Sequence, residues 1–458
     1  MSTPSISSAT GPLDVQGLVS QLMTVAQQPL NRMNTQLQTD NSQISDYGTL
    51  SSDLTSLQST LSGLSSGTFI NTLKAASSNT TILSATADNT ANAGSYNVTV
   101  NNLATAQNLA YTGQASETAS LGNTADSLNF TFGNGTTSSV SIAANSSLDQ
   151  IASSINAAGI GVSASVVKAD SSATPYRLVL TGNTVGAGQS FSTASASGQA
   201  SLSFLSFDAA SAVNGSNQIT DSRLTAQAQD ANLTVNGLTM TSSSNTVTTA
   251  VLGVSMNLTQ TGSTVLNVTR DSTAIQNKVQ SFVTAYNKLQ SDSTSLYGGD
   301  LQGDFNLVQL QNTFNSLLQT PISGANGTTE VAYLAQVGVS IQKDGSLSLD
   351  STALNSAISN NATAVANVFG NSNNDGYAQR FNTQINNLLG PQGLITTKTT
   401  SLNQMASDEK TRITQEQTRL STVQAGYLSL YTNLNSALMQ MEQTSSSLAK
   451  MISSTSSG

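Results

Sequence analysis

Residues 413–451, ITQEQTRLSTVQAGYLSLYTNLNSALMQMEQTSSSLAKM, decide the fold because apolar side chains recur in them with a heptad period of about 3.5 residues. The a positions are Ile413, Leu420, Tyr427, Leu434, Met441 and Leu448, and the d positions are Glu416, Val423, Leu430, Ala437, Thr444 and Met451. Ten of these twelve positions are apolar, whereas a chain with 37% hydrophobic residues would place about four there. The repeat therefore predicts a long helix with a coiled-coil seam that packs against other helices.

The N-terminal region carries a second seam of the same kind. Its positions form two runs, Leu30, Met33, Leu37, Asp40, Ile44 and Tyr47, and then Leu50, Leu54, Leu57, Leu61 and Leu64. A three-residue step joins the runs, and such a step overwinds a coiled coil locally without ending it. We therefore expect helices at both ends of the chain that seek partners.

These two regions are expected to serve assembly with other copies; the alternative is ordinary helix packing within one molecule. The expected oligomerisation seam comprises Leu30, Leu37, Ile44, Leu420, Val423, Tyr427, Leu430, Leu434, Met441 and Leu448. Beyond Arg419 only Glu442 and Lys450 are charged, so ion pairs between helices should set partner and register only weakly. Gly426 within the helix costs about 1 kcal/mol relative to Ala. We expect these helices to be marginal alone and to order mainly on assembly.

Local signals subdivide the N-terminal helical region. Asp14 is expected to cap a first helix, and Pro29, which lacks a backbone N–H, should break that helix near Gln28. Helical spacing then continues to Leu64, and the Ser-Ser-Gly sequence at 65–67 should end it.

The middle of the chain is predicted to be mainly β. From about Lys74 the apolar period becomes two, most clearly at 96–100, 128–132, 140–142, 162–166, 233–235 and 256–258. One exception, a helical spacing from Leu148 to Ile155, predicts a short helix. Helical spacing returns after Asp271, so the β region is an insertion between helices.

The returning helix is expected to form a leg core with Phe282, Val283 and Tyr286. Further along, residues 339–341 and 347–349 are predicted to form a hairpin across Lys343-Asp344-Gly345. The sequence Gly-Pro-Gln-Gly at 390–393 should break the chain before the long terminal helix.

Together these patterns predict an α+β multidomain protein. The terminal helices would form a coiled-coil or helical-bundle leg, and two inserted, mainly β domains would form a head. We expect four domains: 1–40 with 400–458 as leg helices, 41–70 with 273–399 as a helical domain, 71–125 with 226–272 as an inner β domain, and 126–225 as an outer, variable β-rich domain.

Composition excludes several classes of function. Only 9% of residues are charged and the net charge is −9, which opposes binding to nucleic acid or to an anionic membrane surface. The chain has no His, Cys or Trp, so thiol nucleophiles, His-dependent triads and zinc sites built on Cys or His are impossible. We therefore expect neither an enzyme nor a cofactor, and we interpret the charged cluster at 408–412 as a solvated helix face.

Stretches in every region of the chain, taken in order, resemble one family. Near the start they are GPLDVQGLV at 11–19 and ISDYGTL at 44–50, and in the β region GSYNVTV at 94–100 and NTV at 245–247. In the helical region they are FVTAYN at 282–287, DGSLSLD at 344–350 and VFG at 368–370. These stretches resemble the flagellar hook-associated protein 2 family, which forms the cap of the flagellar filament. The resemblance covers nearly the whole chain.

The resemblance implies a homo-oligomeric ring at the growing tip of the filament, where it retains exported flagellin and helps it to fold and insert. The implied partners are other copies of the chain, flagellin, the hook-filament junction protein and a cytoplasmic export chaperone at the C-terminal helix. The implied location is extracellular, at the flagellum tip, reached through the flagellar type III apparatus without a cleaved signal. In agreement, residues 1–12 contain no Lys or Arg and lead into no continuous apolar run.

Three other functions stay open at this point. Another flagellar axial protein, flagellin or a junction protein, would share helical termini around β insertions. A secreted adhesin would use the Ser- and Thr-rich β domains to bind a host surface. A hydrolase with paired carboxylates is compatible with the 24 acidic residues, but the sequence shows no convergent cluster of them.

Overall fold

A computed structural model describes residues 13–169, 172–198, 200–216, 218–323 and 331–455. The chain divides into two compact units, one formed by Met1–Ile70 and Thr273–Gly458 and the other by Asn71–Ser272. The first unit is helical apart from one short hairpin, and the second is mainly β. This distribution confirms the predicted fold class, terminal helices around a mainly β insertion.

The helices, numbered along the described chain, have the following bounds: α1 Val15–Ala26, α2 Gln28–Ser65, α3 Leu148–Ala158, α4 Ser272–Gly298, α5 Phe305–Gln319, α6 Ser351–Phe369, α7 Tyr377–Leu389 and α8 Leu394–Thr455. The strands in the β unit are β1 Leu73–Ser77, β2 Leu83–Ala87, β3 Gly94–Asn102, β4 Asn108–Ala110, β5 Asp126–Phe132, β6 Thr137–Ile142, β7 Val162–Lys168, β8 Tyr176–Gly182, β9 Phe191–Ser195, β10 Leu224–Ala226, β11 Ala231–Val235, β12 Leu238–Ser242, β13 Thr246–Val251, β14 Val254–Leu258 and β15 Gly262–Arg270. The hairpin of the helical unit is β16 Val339–Ile341 and β17 Leu347–Leu349.

The N-terminal helices begin and end where their local signals predict. The Asp14 side chain accepts a hydrogen bond from the Gly17 N–H at 2.9 Å, which caps α1. Pro29 lies in the first turn of α2, where backbone N–H groups have no intrahelical acceptor, so a residue without an N–H is tolerated there. Helix α1 ends at Ala26 and α2 begins at Gln28, as predicted. After α2, Gly67 adopts a positive φ of 69°, a conformation that Gly adopts without strain.

The core of the helical unit is one large cluster to which α2, α4, α5, α6, α7 and the start of α8 contribute. Its aromatic centre is Phe381 of α7. The Phe381 ring lies 5.2 Å from Phe314, 6.0 Å from Phe282 and 6.1 Å from Tyr286, measured between ring centroids. Contacts between aromatic rings stabilise a core by more than the burial of their apolar area alone.

The described residues of the β unit form four antiparallel sheets with two hydrophobic cores. One core lies between the sheet β1-β15-β3-β11-β12 and the sheet β13-β14-β2. The second core is built by the sheets β10-β4-β8-β7 and β6-β5-β9 with α3. Leu109 and Tyr111, which fall within the segment expected to form the inner β domain, are buried in this second core.

Two predicted local structures in the insertion and beyond it are confirmed. The helix expected around Leu148 is α3, and Ser147 caps it by accepting a hydrogen bond from Gln150 N–H. The hairpin β16-β17 pairs Val339 with Leu349 and Ile341 with Leu347. Helix α7 was not predicted, although Tyr377, Phe381 and Ile385 follow a helical spacing between Gly376 and Gly390.

Candidate assembly interface

Helix α1 packs on α8 through a small apolar cluster. Val15, Val19 and Met23 are spaced four residues apart, so they share one face of α1, and they are buried together with Leu420 of α8. Partly buried side chains surround them: Leu13, Ala26, Leu30, Val423, Tyr427, Leu428 and Tyr431. Because only four of the described side chains are buried in this cluster, we expect α1 to be one of the least stable helices of the chain.

A buried asparagine adds a polar contact to this cluster. Asn435 of α8 is only 2% exposed, and its Oδ1 accepts a hydrogen bond from the Leu13 N–H at 3.2 Å. This N–H precedes α1, so the contact ties the start of α1 to one turn of α8. A single polar residue in a helical seam can fix register in this way. The heptad pattern gave no sign of Asn435, because it lies one residue past the predicted a position Leu434.

The buried face of α8 departs from the predicted heptad after Tyr427. Up to that point Ile413 and Leu420 are buried and Val423 and Tyr427 are partly buried, as the a and d positions require. Past it the less exposed positions are Leu428, Tyr431, Asn435 and Leu438, and the last three each lie one residue later than the predicted Leu430, Leu434 and Ala437. One heptad stripe along the whole helix is therefore a wrong description of packing within the chain. Steps of four residues keep the buried face turned toward α1, whereas the predicted positions turn away from it.

The predicted seam residues past Tyr427 consequently form an exposed stripe. Leu430 is 60% exposed, Leu434 44%, Met441 68% and Leu448 58%. We call these four residues the exposed stripe. Their spacing of four, seven and seven residues keeps them on one side of α8.

The predicted seam residues of α2 lie in two different surroundings. Leu30 is partly buried against the α1–α8 cluster, whereas Ile44 is partly buried against the large helical core. Leu37 lies between them on α2 and is also partly buried.

A shallow groove runs between α1 and α8 on one side of the cluster. It encloses about 400 Å³ and is lined by Gln16, Val19, Ser20, Met23, Thr24, Gln27, Gln424 and Leu428. None of these lining residues is charged. We call this feature the α1–α8 groove.

Charges on α8 lie towards its N-terminal half and pair along the helix. Arg419 donates two hydrogen bonds to Glu416, at 2.6 and 2.8 Å, and this lowers the pKa of the Glu416 carboxyl. Arg412 pairs with Glu409 at 2.9 Å. Glu409 is only 7% exposed, so the interpretation of 408–412 as a uniformly solvated face is wrong at this position. The helix turns Glu409 inward because it lies seven residues from Leu402 and from Glu416 on the seam.

Phe282, Val283 and Tyr286 are buried in the large helical core. Burial raises the pKa of the Tyr286 phenol to about 12, and its hydroxyl has no hydrogen-bond partner among the described residues. These three side chains therefore hold α4 in the helical unit, and they lie outside the cluster between α1 and α8.

An ion pair between a buried carboxylate and a largely exposed ammonium joins α2 to α4 and gave no signal in the sequence. Asp53 is nearly inaccessible, and its carboxylate accepts a hydrogen bond from the Lys288 ammonium at 2.6 Å. Lys288 also donates to Asp292 at 2.6 Å, one turn along α4. Burial raises the pKa of Asp53, whereas the hydrogen bond from Lys288 lowers the pKa of Asp292.

Within the described chain, no three acidic side chains are grouped so that they could hold a metal ion. Among the described helices, none is both long enough and apolar enough to cross a bilayer.

Two family models match most of the chain. The model described as flagellar hook-associated protein 2 N-terminus matches residues 12–107, and the model described as flagellar hook-associated protein 2 C-terminus matches residues 228–443. Between them, a flagellin hook IN motif matches residues 127–184, within the segment expected to form the outer domain.

Known proteins match over nearly the full length. The flagellar hook-associated protein 2 of Escherichia coli K12 is 29% identical over 466 residues, covering 97% of each chain. The B-type flagellar hook-associated protein 2 of Pseudomonas aeruginosa is 29% identical over 463 residues, covering 96% of this chain and 95% of that one. The crystal structure of the D1-D2-D3 domains of the Escherichia coli flagellar cap protein is 31% identical, covers 78% of this chain and 99% of that chain, and superposes with a TM-score of 0.63.

Proposed function

The chain belongs to the flagellar hook-associated protein 2 family, and we propose that it caps the distal tip of the bacterial flagellar filament as a homo-oligomer. The observation that carries this function is the agreement with the Escherichia coli cap protein, which extends over 99% of that solved chain. The matched N-terminal and C-terminal models support the same function independently of the solved structure. The protein is thus a structural component of the filament tip.

At the tip, the cap retains exported flagellin and promotes its folding and insertion during filament growth. The wide spread of Ser, Thr, Asn and Gln, with 9% charged residues, suits a surface that guides a polymer subunit without holding it through strong ion pairs. Further partners in this proposal are the hook-filament junction protein and a cytoplasmic export chaperone that binds the C-terminal helix. The route is export through the flagellar type III apparatus without a cleaved signal.

We assign the exposed stripe to contacts with other molecules. Large apolar side chains that recur on one helical side and stay exposed mark an interaction surface. Along α8 beyond Arg419, Glu442 and Lys450 are the only charged residues, so the contacts of the stripe should depend mainly on apolar packing. The other predicted seam residues are at least partly covered within the chain and so lie outside this exposed surface: Leu30, Leu37, Ile44, Leu420, Val423 and Tyr427. Phe282, Val283 and Tyr286 belong to the core of the helical unit.

The four-domain division also remains a proposal. The terminal helices form the leg, residues 41–70 with 273–399 the helical domain, and the β unit holds an inner and an outer domain. Leu109 and Tyr111 belong to the outer domain by their packing, so its boundary begins before Leu109.

A deletion strain of the bacterium that makes this protein tests the function directly. Without the cap, flagellin should leave the cell and accumulate in the medium, and filaments should be absent or very short. Expression of the intact chain from a plasmid should restore filaments and clear flagellin from the medium. Normal filaments in the deletion strain, with no released flagellin, would reject the cap assignment.

A further inference from the structure

We propose that three side-chain carboxamides guard the edges of three β-sheets against the addition of a further strand. They belong to Asn156, Gln107 and Asn287, and each binds both the N–H and the C=O of one residue in an edge strand. Each carboxamide takes the place that a residue of a neighbouring strand would occupy. This device goes beyond the proposed capping function and does not depend on it.

The first guarded edge is that of β7, which lies at one end of the sheet β10-β4-β8-β7. In an antiparallel pair, successive residues turn their N–H and C=O groups alternately toward the partner strand and away from it. The Gly161 C=O accepts a hydrogen bond from the Asn183 N–H, so odd-numbered residues face β8 and Ala164 faces the open side. There the Ala164 N–H donates to Asn156 Oδ1, and the Ala164 C=O accepts from Asn156 Nδ2, both at 2.8 Å.

The second guarded edge is that of β9, at one end of the sheet β6-β5-β9. By the same alternation, Phe191 and Thr193 face its open side. The Phe191 N–H donates to Gln107 Oε1 at 2.9 Å, and the Phe191 C=O accepts from Gln107 Nε2 at 2.7 Å. Thr193 exchanges two backbone hydrogen bonds with Phe207, each of 2.8 Å. One side chain and one stretch of main chain thus close this edge together.

The third guarded edge lies in the helical unit, on strand β17 of the hairpin β16-β17. The Asp350 N–H donates to the Gly338 C=O, so even-numbered residues face β16 and Leu347 faces away. Asn287 of α4 binds Leu347 from that side: its Oδ1 accepts from the N–H at 2.7 Å and its Nδ2 donates to the C=O at 2.8 Å.

A carboxamide is suited to this task because it carries an acceptor and donors on one planar group, as the backbone amide does. A residue of an added antiparallel strand would make the same two hydrogen bonds to the edge residue. The side chain and an added strand therefore compete for the same N–H and C=O groups.

The composition of the chain explains why its edges need such guards. Proteins commonly protect exposed sheet edges with charged residues, Pro or bulges. Only 9% of the residues in this chain are charged; β9 and β17 contain no charged residue, and β7 contains only Lys168 at its end. Asn and Gln side chains thus supply the protection that charges supply in other proteins.

Asn156→Ala is the variant that opens one edge and keeps the fold. Asn156 is exposed and lies in the last turn of α3, and Ala favours a helix more than Asn does, so α3 should stay folded. Ser153→Ala is the matched control, because the exposed Ser153 makes its hydrogen bond to Asp149 within α3. Circular dichroism of the full-length proteins should show the same helix content for both variants and the wild type.

Hydrogen exchange of the full-length chain measures the opening of the edge. The Ala164 amide should exchange about tenfold faster in Asn156→Ala, since it loses its acceptor, and Ser153→Ala should leave its exchange unchanged. In the helical unit, Asn287→Ala should speed exchange of the Leu347 amide by a similar factor. Its control is Ser281→Ala, at an exposed position of α4 whose hydroxyl bonds within the helix.

A dye for stacked β-sheets, thioflavin T, measures whether the opened edge of β7 accepts a strand from another copy. Sedimentable, dye-binding material should form several-fold faster from Asn156→Ala than from the wild type or Ser153→Ala. Adding Ser165→Lys to Asn156→Ala should suppress this material, because Ser165 is exposed on β7 and a Lys on an edge strand opposes pairing. Asn129→Lys adds the same charge on the central strand β5 and should not suppress it.

Three results would overturn the inference. Unchanged exchange of Ala164 in Asn156→Ala would show that the carboxamide does not protect this edge. Faster exchange without more dye-binding material would show that the edge needs no guard. Equal suppression by Ser165→Lys and Asn129→Lys would assign the material to general loss of solubility instead of strand addition at β7. None of these results bears on flagellin release by the deletion strain, which decides the cap function separately.

Discussion

Replacement of Leu420 by Ala should release α1 from α8 without unfolding the rest of the chain. Leu420 is 4% exposed and is the α8 side chain buried with Val15, Val19 and Met23. Leu-to-Ala changes at buried sites cost about 2–5 kcal/mol, and a small cluster at a helix pair relaxes well, so we expect about 2 kcal/mol. The large helical core and the β unit have separate clusters, so their stability should stay unchanged.

Hydrogen exchange of the α1 amides measures this release. A loss of about 2 kcal/mol should lower their protection about 30-fold, since 1.4 kcal/mol corresponds to a factor of ten. The matched variant Leu434→Ala changes a side chain that is 44% exposed, so α1 protection should fall by less than about threefold. Equal effects of the two changes, or no effect of Leu420→Ala on α1, would refute the packing of α1 on this face of α8.

Three further experiments test other parts of the structure. Tyr286→Phe removes a buried hydroxyl that has no hydrogen-bond partner among the described residues, so it should stabilise the helical unit by about 1 kcal/mol, measured by urea unfolding. Its control Tyr47→Phe loses the 2.8 Å hydrogen bond to Asp304 and should destabilise the same unit. Gly426→Ala should raise the helix content and thermal stability of the terminal leg by up to about 1 kcal/mol, because its site has no neighbour within 4 Å of an added Cβ; lowered stability would contradict the described helix. Burial raises the pKa of Asp53 above its value in the unfolded chain, so protonation of Asp53 stabilises the folded chain, and this stabilisation is lost as the pH rises through the raised pKa. The free energy of unfolding in urea should therefore gain a contribution from Asp53 as the pH is lowered from neutral. Asp53→Asn should reduce this dependence of the free energy of unfolding on pH.

The sequence predicted the ends of the N-terminal helices and the presence of a β insertion well, because these depend on local chemistry. Asp14 caps α1 and Pro29 marks the break before α2, as their side chains require. The change from a helical period to a period of two located the β insertion, since each period follows from the geometry of one element.

The sequence did not predict which face of α8 is covered. A heptad pattern states which side chains share one side of a helix, but not which partner helix approaches that side. In the chain, α1 approaches the face with Tyr431 and Asn435, and Leu434 stays exposed. Asn435 can be buried because its side chain accepts a hydrogen bond from the Leu13 N–H. The periodicity of apolar residues cannot identify such a long-range partner.

Contacts between residues far apart in the sequence account for the other differences between the predictions and the structure. Asp53 and Lys288 are 235 residues apart, so only the fold brings them together. Helix α7 was not predicted, although its Phe381 is the centre of the aromatic core. The outer core recruits Leu109 and Tyr111 across the expected domain boundary, because strand β4 pairs with β8 rather than with the inner sheet.

The most direct test of the central claim joins the exposed stripe to capping in the cell. The deletion strain should be supplied with the wild-type chain, with a stripe variant that carries Leu434→Gln and Met441→Gln, or with the control Met439→Gln, and the flagellin released into the medium should be measured. Met439 is a matched control because it is 44% exposed on another side of α8. We predict that the wild type and the control retain flagellin and support filaments, whereas the stripe variant is exported but lets flagellin escape. Full-length filaments and no released flagellin with an exported stripe variant would contradict the claim that this stripe assembles the cap.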